Sequence, residues 1–514
     1  MIIKKLKKLK FIIFIPLFIY LGERSFVAYD EGYYVLQSKW MIDSGNWLVP
    51  LWFDKVIFDR TIGIQIILAI SQKIFGETNF GVYLPIYLSA LVMLYLTYSI
   101  HKELLSKKYA ILSPLILSTT FLWINYVNMA TQDILFATIT TFGIYSSIKY
   151  SKTNKKIFLF FSGIWIGLGF MLKTYLILVP LLAIFIFLIR HKIIYKNLFW
   201  FGLIIGFTPF LIWSFFILKE YGYDTYNGLF EKLLILSKKN NFTNPFYYYL
   251  WNFPINTFPW SLFSILGLVN SYSIENKTTK YFLFFYPLTI LIALSFFSTK
   301  TQYYPIQILS LTSINCYLGI LYIQNNRNIF TRFINFFNFI LIPMISLVSL
   351  YLLNSNQFEL NLSDLNKNFI SLALILFSIC WFSLNFLKIK NHKIISIILG
   401  PYLLFILIFQ SGIITDRSKD LRLASINLIN QENLNNKYIE TIKSNINTNE
   451  AHAKIIKILL LMPKNGKGIQ NIEDLGQNNY AWTTISNNEL EKKKNIQIIN
   501  DKEIFKPWKL VFKN

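Results

Sequence analysis

Long apolar stretches recur along most of the chain up to about residue 412 and are separated by short polar segments. A helix that crosses a bilayer needs about 20 mostly apolar residues. A shorter stretch at 61–75 contains Gln65, Gln72 and Lys73, which predicts an amphipathic helix lying at the membrane interface. The longer stretches predict about thirteen transmembrane helices, at 6–22, 80–100, 109–128, 132–149, 157–172, 175–190, 198–218, 257–272, 281–298, 304–323, 333–353, 369–387 and 394–412.

The basic residues predict how these helices are oriented. Cytoplasmic loops of membrane proteins carry an excess of Lys and Arg, and the lysine-rich segment 4–10 therefore places the N-terminus in the cytoplasm. We expect 6–22 to be retained as the first span, because Glu23-Arg24 follows it without a small-residue cleavage site. Every second loop is then basic, as the rule requires, with clusters at 102–108, 149–156, 190–196, 277–280, 327–332 and 388–393.

Three longer polar segments fall on the opposite, extracytoplasmic face: 23–79, 219–256 and 413–514. Within the first, Tyr33 to Met41 has the pattern of an interfacial helix that ends at Ser44-Gly45. The third has the length of a small domain, and its apolar patches at 455–462 and 508–512 predict a small α/β fold. We therefore predict an all-α polytopic membrane domain at 1–412 and a C-terminal α/β extracytoplasmic domain at 413–514.

Composition agrees with this architecture and excludes several classes of protein. Hydrophobic residues make up 54% of the 514 residues and charged residues only 15%, against about 25% charged residues in soluble proteins. A soluble enzyme, a disordered protein and a coiled coil are excluded. The net charge of +24 does not indicate nucleic-acid binding, because the basic residues lie between apolar stretches. Cys316 and Cys380 lie inside apolar stretches and offer no disulfide framework or metal-ligand spacing.

Candidate chemistry lies on the predicted outer face. Asp30 and Glu31 follow the first span directly, and an acid held near the bilayer is partly desolvated, which suits it to act as a general base. Asp133 opens the span 132–149. The cations on this face are Arg60, at the start of the interfacial helix, with Lys173 and Lys300 in tight turns.

Each of these residues also has a purely structural explanation. Loop carboxylates can simply be solvated, an acid at a helix N-terminus complements the dipole, and lysines at span ends snorkel to the interface. Outer loops disfavour lysine, however, so these cations predict a local anion, and a lipid-linked phosphate arrives in the membrane plane. A transporter is the alternative, although its spans should carry charged residues at their centres, where this chain has almost none.

Six motifs, in order over residues 24–310, resemble the GT-C glycosyltransferases, in particular the lipid A aminoarabinose transferases and the protein O-mannosyltransferases. They are Asp30-Glu31-x-x-Tyr34 followed by Met41-x-x-x-Gly45-Asn46-Trp47-x-x-Pro50; Ile70-Ser71-Gln72-x-x-Phe75-Gly76-Glu77-x-Asn79-Phe80-Gly81-Val82; Thr131-Gln132-Asp133; Gly167-x-Gly169-x-x-x-Lys173; Asn244-Pro245-Phe246-Tyr247-Tyr248-Tyr249 with Phe258-Pro259-Trp260; and Ser298-Thr299-Lys300-x-x-x-Tyr304.

The resemblance implies an activity. Members of this family transfer a sugar from a polyprenyl monophosphate donor, such as undecaprenyl phosphate, to an acceptor outside the membrane, with inversion. It implies that Asp30 is the general base, with Glu31 and Asp133 supporting or orienting it. The residues implied to hold the donor phosphate are Arg60, Lys173, Lys300 and Tyr304. The acceptor would be a glycolipid (as in lipid A modification), a polysaccharide of the cell envelope or a protein (as in protein O-glycosylation).

Two departures from the family pattern accompany the resemblance. The usual Lys-Pro reads Arg60-Thr61 here, and no histidine lies in 219–256, where some members have a metal ligand. We therefore predict no metal site and no cofactor, although a divalent cation would be compatible with the fold. We expect a multi-pass protein of the plasma (inner) membrane that contacts membrane lipids and no nucleic acid. A lipid-linked sugar flippase or transporter, and a homologue that binds without turnover, remain alternatives.

Overall fold

Most of the described chain is helical, as its long apolar stretches predict. The computed structural model describes residues 12–237, 243–326, 328–355, 363–387, 389–493 and 495–514. Within these residues, eight helices are long and apolar enough to cross a membrane. They are Asn79–Leu104, Lys156–Arg190, Asn197–Tyr221, Lys277–Phe296, Tyr304–Asn325, Ile329–Asn354, Asp364–Asn385 and His392–Gln410. The second of these consists of two α-helices, Lys156–Lys173 and Leu178–Arg190, joined by a 3₁₀ turn at Thr174–Ile177, and so covers two of the predicted spans. The prediction of a helical multi-pass membrane protein is confirmed, and the count of thirteen spans stays a prediction.

The other predicted spans are helical too, but shorter, broken or more polar. The stretch 109–128 forms two helices, Leu112–Ser118 and Phe121–Val127. They are separated at Thr119 and Thr120, whose hydroxyls donate to the carbonyls of Leu115 and Ile116. The remaining helices of this part are Ile15–Phe18, Gln132–Thr153, Asp224–Ser237, Tyr248–Asn256 and Ser261–Ser271. Residues 6–11 of the first predicted span lie outside the described residues.

Segment 23–79, which the sequence predicts to be the first outer segment, contains the two helices expected from its sequence. Tyr33–Ser44 ends at Gly45, which has φ +68, the left-handed conformation that glycine adopts without steric cost. Gly63–Phe75 follows after a short hairpin of Leu51–Trp52 and Lys55–Val56. Gln65 donates to Gln37 across the two helices at 3.0 Å, which joins them through a buried polar contact.

The C-terminal segment forms the small α/β unit predicted from its length. A four-stranded sheet has the order Ile439–Thr441, Asn479–Thr483, Lys509–Lys513, Ile496–Asn500, with the first pair parallel and the others antiparallel. The patch at 508–512 lies mainly in a strand, and the patch at 455–462 lies mainly in a helix. The helices are Lys419–Gln431, Asn449–Leu461 and Asn487–Glu491.

The C-terminal unit shares its core with the first outer segment. Leu36 and Trp40 of helix Tyr33–Ser44 are buried in the same apolar cluster as Leu459, Trp482 and Trp508. This shared core holds the C-terminal unit against the segment that carries Asp30. The domain boundary at 412/413 stays a prediction.

An ion-pair network strengthens the same junction. Arg422 binds Asp416 through two nitrogens, at 3.3 and 2.9 Å, and also pairs with Glu23, which follows the first span. Ser25 accepts a hydrogen bond from the backbone N–H of Ser418 at 2.7 Å. The chain leaving the last span is therefore tied to the chain leaving the first.

Candidate functional site

A kinked turn at 28–32 presents Asp30. Its backbone has φ 58 and ψ −76, a conformation that residues other than glycine rarely adopt, and its side chain is exposed. Such a conformation persists only where surrounding contacts hold it, and strained residues of this kind cluster at functional sites. The turn must therefore be clamped by its neighbours.

Glu31 clamps the turn from inside the protein. Its side chain is 2% exposed and accepts hydrogen bonds from the N–H groups of Val27 and Ala130, each at 2.9 Å, and from the Tyr83 hydroxyl at 2.5 Å. Burial raises the pKa of the Glu31 carboxyl, and these hydrogen bonds act in the opposite direction. With every oxygen engaged, Glu31 holds the turn against the segment that precedes Asp133.

The opposite side of the turn is held by the C-terminal unit. A Cβ at Gly32 would lie 2.5 Å from the carbonyl oxygen of Val27 and 3.0 Å from the side chains of Ile456 and Leu460. Only glycine fits this approach, because 2.5 Å is far inside van der Waals contact. Helix Asn449–Leu461 therefore lies directly against the turn that carries Asp30.

Arg60 lies beside helix Tyr33–Ser44. Its guanidinium binds Asp59 through two hydrogen bonds, of 3.0 and 2.7 Å, and donates to the Tyr34 hydroxyl at 2.6 Å. The same hydroxyl accepts from Gln132 at 3.3 Å. Tyr34 thus connects the predicted phosphate ligand Arg60 to the residue next to Asp133.

Asp133 and Lys173 form an ion pair in which each side chain is 6% exposed. The ammonium of Lys173 also lies 5.0 Å from the ring centroid of Tyr303 and 5.6 Å from that of Tyr304. The structure therefore joins three residues predicted separately from sequence, Asp133, Lys173 and Tyr304.

Asp30 belongs to the same region as this ion pair. Burial, together with the charges of Asp30 and Asp133, raises the pKa of the Tyr303 phenol. The phenol thus remains protonated and able to donate a hydrogen bond. An exposed carboxylate thus acts electrostatically on a phenol that lies beside a buried cation, and together these groups can accept a proton and bind an oxyanion.

Lys300 lies in a turn, as its sequence predicts, and bonds backbone carbonyls there, while its role in phosphate binding stays a prediction. Its side chain is 5% exposed, and its ammonium donates to the carbonyls of Asn244 and Phe297, at 2.7 and 2.6 Å. Burial lowers the pKa of this ammonium. Within the described residues, two of its three N–H groups thus join the outer loop to the turn at 297–301, and Lys300 makes no ion pair with Asp133 or Asp59.

Several contributors to the site received no role from sequence. Tyr34 and Gln132 lie inside quoted motifs, but nothing in the motifs indicated that they touch. Tyr303 directly precedes Tyr304, which was predicted to bind the phosphate, and this adjacency was the feature of the sequence that could have indicated Tyr303. Among the described residues, no group of three or more His, Cys, Asp or Glu side chains is placed to hold a metal ion.

Comparison with known proteins agrees with this fold. Residues 59–213 match the family described as dolichyl-phosphate-mannose-protein mannosyltransferase. The chain superposes on ArnT from Cupriavidus metallidurans bound to undecaprenyl phosphate with a TM-score of 0.78, over 99% of this chain and 98% of that one, at 12% identity. An Archaeoglobus fulgidus oligosaccharyltransferase gives 0.51, over 93% of this chain and 65% of that one, at 11% identity. The chain therefore has the GT-C fold, as the motifs predicted.

Curated relatives are similar in sequence over part of their length. The undecaprenyl phosphate-alpha-4-amino-4-deoxy-L-arabinose arabinosyl transferase of Wigglesworthia glossinidia brevipalpis is 28% identical over 328 residues, 59% of this chain and 57% of the relative. The protein of the same name from Edwardsiella ictaluri is 29% identical over 45% of this chain and 44% of the relative. The chain thus spans about half the length of the relatives it matches, and the resemblance to aminoarabinose transferases is confirmed.

Proposed function

We propose that this chain is an integral membrane glycosyltransferase that moves a sugar from a polyprenyl monophosphate donor to an extracytoplasmic acceptor with inversion. The observation that carries the proposal is that the charges of Asp30 and Asp133 both act on Tyr303, whose ring lies beside the Lys173 ammonium of the Asp133–Lys173 ion pair. The names of the relatives, which specify undecaprenyl phosphate, support the choice of donor.

Asp30 is the proposed general base. Its exposed carboxylate accepts the proton of an acceptor hydroxyl, whose oxygen then attacks the anomeric carbon of the donor sugar. The bond from that carbon to the phosphate oxygen breaks, and the polyprenyl phosphate leaves with the bonding electrons. Glu31 and Asp133 are positioning residues in this proposal, since one clamps the turn and the other holds Lys173.

The cationic residues stabilise the phosphate as it leaves. Lys173 approaches from the ion pair with Asp133, and the neutral phenol of Tyr304 lies beside it. Arg60 offers a planar fork of donors, part of which Asp59 occupies. Lys300 keeps a third N–H for the phosphate while it fixes the outer loop. Fixed donors of this kind act where charge develops in the transition state.

The remaining assignments follow from the same proposal. We place the N-terminus in the cytoplasm of the plasma (inner) membrane and the C-terminal unit outside it. The acceptor is a glycolipid, a glycan or a protein. This orientation rests on the alternation of basic loops, and labelling of single cysteines at 30 and 467 from outside intact cells tests it.

Two measurements test the activity. Mass spectrometry of envelope lipids and glycans from cells with and without the gene should reveal one sugar-modified product that disappears on deletion. Purified protein in detergent, given extracts that contain donor and acceptor, should then form the same product. Detergent removes the barrier between compartments, so a flippase would form none, and neither would a homologue that only binds; either result would refute the proposal.

A further inference from the structure

Arg24 lies between the first predicted span and the turn of Asp30, and none of the motifs assigned a role to it. The residue is 4% exposed, and its guanidinium nitrogen Nη1 is buried with no hydrogen-bond partner in the described part of the chain. Arginine is almost never buried to this extent unless it is paired, because removing a charge from water is costly. The position of Arg24 therefore needs a reason beyond packing.

Three tyrosine rings and one amide surround the guanidinium of Arg24. Its central carbon lies 4.3 Å from the ring centroid of Tyr83, 5.4 Å from that of Tyr20 and 5.8 Å from that of Tyr87. Nη2 donates to the side-chain oxygen of Asn128 at 3.2 Å. We call the three rings the tyrosine cage. The face of an aromatic ring attracts a cation, so these groups hold the guanidinium in one place, but all of them are uncharged and none neutralises it.

Glu31 contacts two of the same neighbours. The Tyr83 hydroxyl donates to Glu31 at 2.5 Å, while Arg24 lies against the ring of that tyrosine. Glu31 also accepts from the N–H of Ala130 at 2.9 Å, two residues after Asn128, which Arg24 binds. The two opposite charges are both buried and thus share one tyrosine and one short segment of chain.

The charge of Arg24 acts on the Glu31 carboxyl. Burial raises the pKa of this carboxyl, its hydrogen bonds lower it, and the charge of Arg24 lowers it too. The other titratable groups that face Arg24 are the phenols of the tyrosine cage, which are neutral at physiological pH. Beyond Tyr20 lies the ion-pair network of Arg422, whose charges are already paired. Among the described charges, Arg24 is thus the one that acts on Glu31.

The hydrogen bonds of Glu31 require an ionised carboxylate. One of its oxygens accepts from Tyr83 and Ala130, and the other accepts from the N–H of Val27 at 2.9 Å. A proton on either oxygen would turn it into a donor, and a donor that faces an N–H group leaves both unpaired. The bond to Val27 would then be lost or displaced, and with it a contact that holds the turn of Asp30.

We propose that Arg24 is a positioning residue for Asp30: its caged guanidinium is the counter-charge that allows the buried Glu31 to stay a carboxylate and so to hold the turn. This inference rests on the proposed function, in which Asp30 is the general base. Arg24 touches neither donor nor acceptor here and acts through Glu31. Its effect should therefore appear in the rate of transfer and vanish when position 31 is already neutral.

The test uses the full-length protein in detergent and a set of variants. Arg24→Met removes the charge and keeps an apolar side chain within the tyrosine cage, and Arg24→Lys keeps the charge. Glu31→Gln removes the carboxylate alone, and the double variant Arg24→Met/Glu31→Gln removes both charges. Arg190→Met changes an exposed arginine at the end of helix Leu178–Arg190 and serves as the control.

Sugar transfer and binding of undecaprenyl phosphate are the first readouts. Arg24→Met should slow transfer by about 10²-fold, because misplacement of a catalytic group by about 1 Å has an effect of that size. Arg24→Lys should slow transfer less, and all variants should bind undecaprenyl phosphate as the wild type does. The double variant should be as fast as Glu31→Gln, because effects of residues that act as a unit are not additive.

The melting temperature as a function of pH is a second readout, which needs no substrate. Loss of Arg24 raises the pKa of the Glu31 carboxyl in the folded protein further above its value in the unfolded chain. The folded state then binds the proton more tightly, so its stability falls as pH rises above about 4.3, the ordinary pKa of glutamate. From about pH 5 to about pH 8, Arg24→Met should therefore fall progressively further below the wild type. The double variant, which has no carboxyl at position 31, should show no such trend.

Several results would overturn the inference. Transfer by Arg24→Met at the wild-type rate would do so, as would a gap in melting temperature that does not change with pH. A double variant much slower than Glu31→Gln would make Arg24 independent of Glu31. Equal rates in Arg24→Lys and Arg24→Met would show that the charge is not what matters, and weaker binding of undecaprenyl phosphate in Arg24→Met would assign Arg24 to the donor.

Two further outcomes have a defined meaning. If Arg24→Met does not fold, folding of the double variant supports the inference, because removal of the unpaired carboxylate then restores the protein; failure of both, while Glu31→Gln folds, overturns it. Absence of sugar transfer by the wild type would instead count against the proposed function. The dependence of the melting temperature on pH would still decide whether Arg24 acts on Glu31.

Discussion

Replacing Asp133 by Asn removes one partner of a deeply buried ion pair. Asp133 and Lys173 are each 6% exposed, so water screens the pair very little and cannot solvate the charge that is left. Removal of one partner of a buried pair costs about 3–5 kcal/mol, whereas replacement of both partners by neutral groups costs far less. We therefore expect Asp133→Asn to be strongly destabilising and the double variant Asp133→Asn/Lys173→Met to recover most of that stability.

Tryptophan fluorescence during heating in detergent measures this cycle. The single variants should melt ~5 °C or more below the wild type, and the double variant should lie close to it. Glu473→Gln breaks an exposed ion pair with Lys493 and serves as the control, with an unchanged melting temperature. A wild-type melting temperature for Asp133→Asn, or a double variant as unstable as the sum of the singles, would refute the reasoning.

Substitutions at four further positions test the contacts that hold the turn of Asp30 and the residues proposed to bind the phosphate. Glu31→Gln should lower the free energy of unfolding by about 1.5–3 kcal/mol, because the new amide nitrogen cannot accept the hydrogen bond of a backbone N–H that Glu31 now accepts. A wild-type melting temperature would show that Glu31 does not hold the turn. Gly32→Ala should lower both transfer rate and stability, because the new methyl would lie 2.5 Å from a carbonyl oxygen; wild-type kinetics would show that the turn adapts. Arg60→Ala should raise the donor KM, and Arg60→Lys should raise it less. A donor KM equal to that of the wild type in Arg60→Ala would show that Arg60 does not bind the phosphate. Lys300→Met should lower the melting temperature by leaving two carbonyls unpaired, and a change in donor KM alone, at wild-type stability, would contradict its structural role.

The helices of this protein could be predicted because their causes are local. Apolar length marks a membrane helix, and the glycine after Ser44 marks where the helix Tyr33–Ser44 ends. The broken stretch 109–128 was predicted as one helix, because its apolar length concealed the break at Thr119 and Thr120. Hydroxyls that bond back to the preceding turn compete with helix continuation, and composition alone does not reveal the outcome.

The partners of the site residues could not be predicted, because they depend on contacts between distant segments. Lys173 was predicted as an isolated cation on the outer face. Its pairing with Asp133 depends on the end of helix Lys156–Lys173 lying next to the start of helix Gln132–Thr153. Lys300 was predicted to hold phosphate, and its two carbonyl acceptors became visible only in three dimensions. The motif resemblance selected the candidate residues, whereas the fold determined what each of them touches.

The role of Asp30 is the central claim, and Asp30→Asn tests it most directly. The substitution keeps the shape of the side chain and removes its basicity, and Asp54→Asn, in an exposed acid of the same outer segment, is the matched control. In purified protein of normal abundance and melting temperature, we expect Asp30→Asn to slow sugar transfer by about 10²–10⁴-fold and to leave undecaprenyl phosphate binding and the control variant unchanged. Transfer by Asp30→Asn at the wild-type rate would contradict the account.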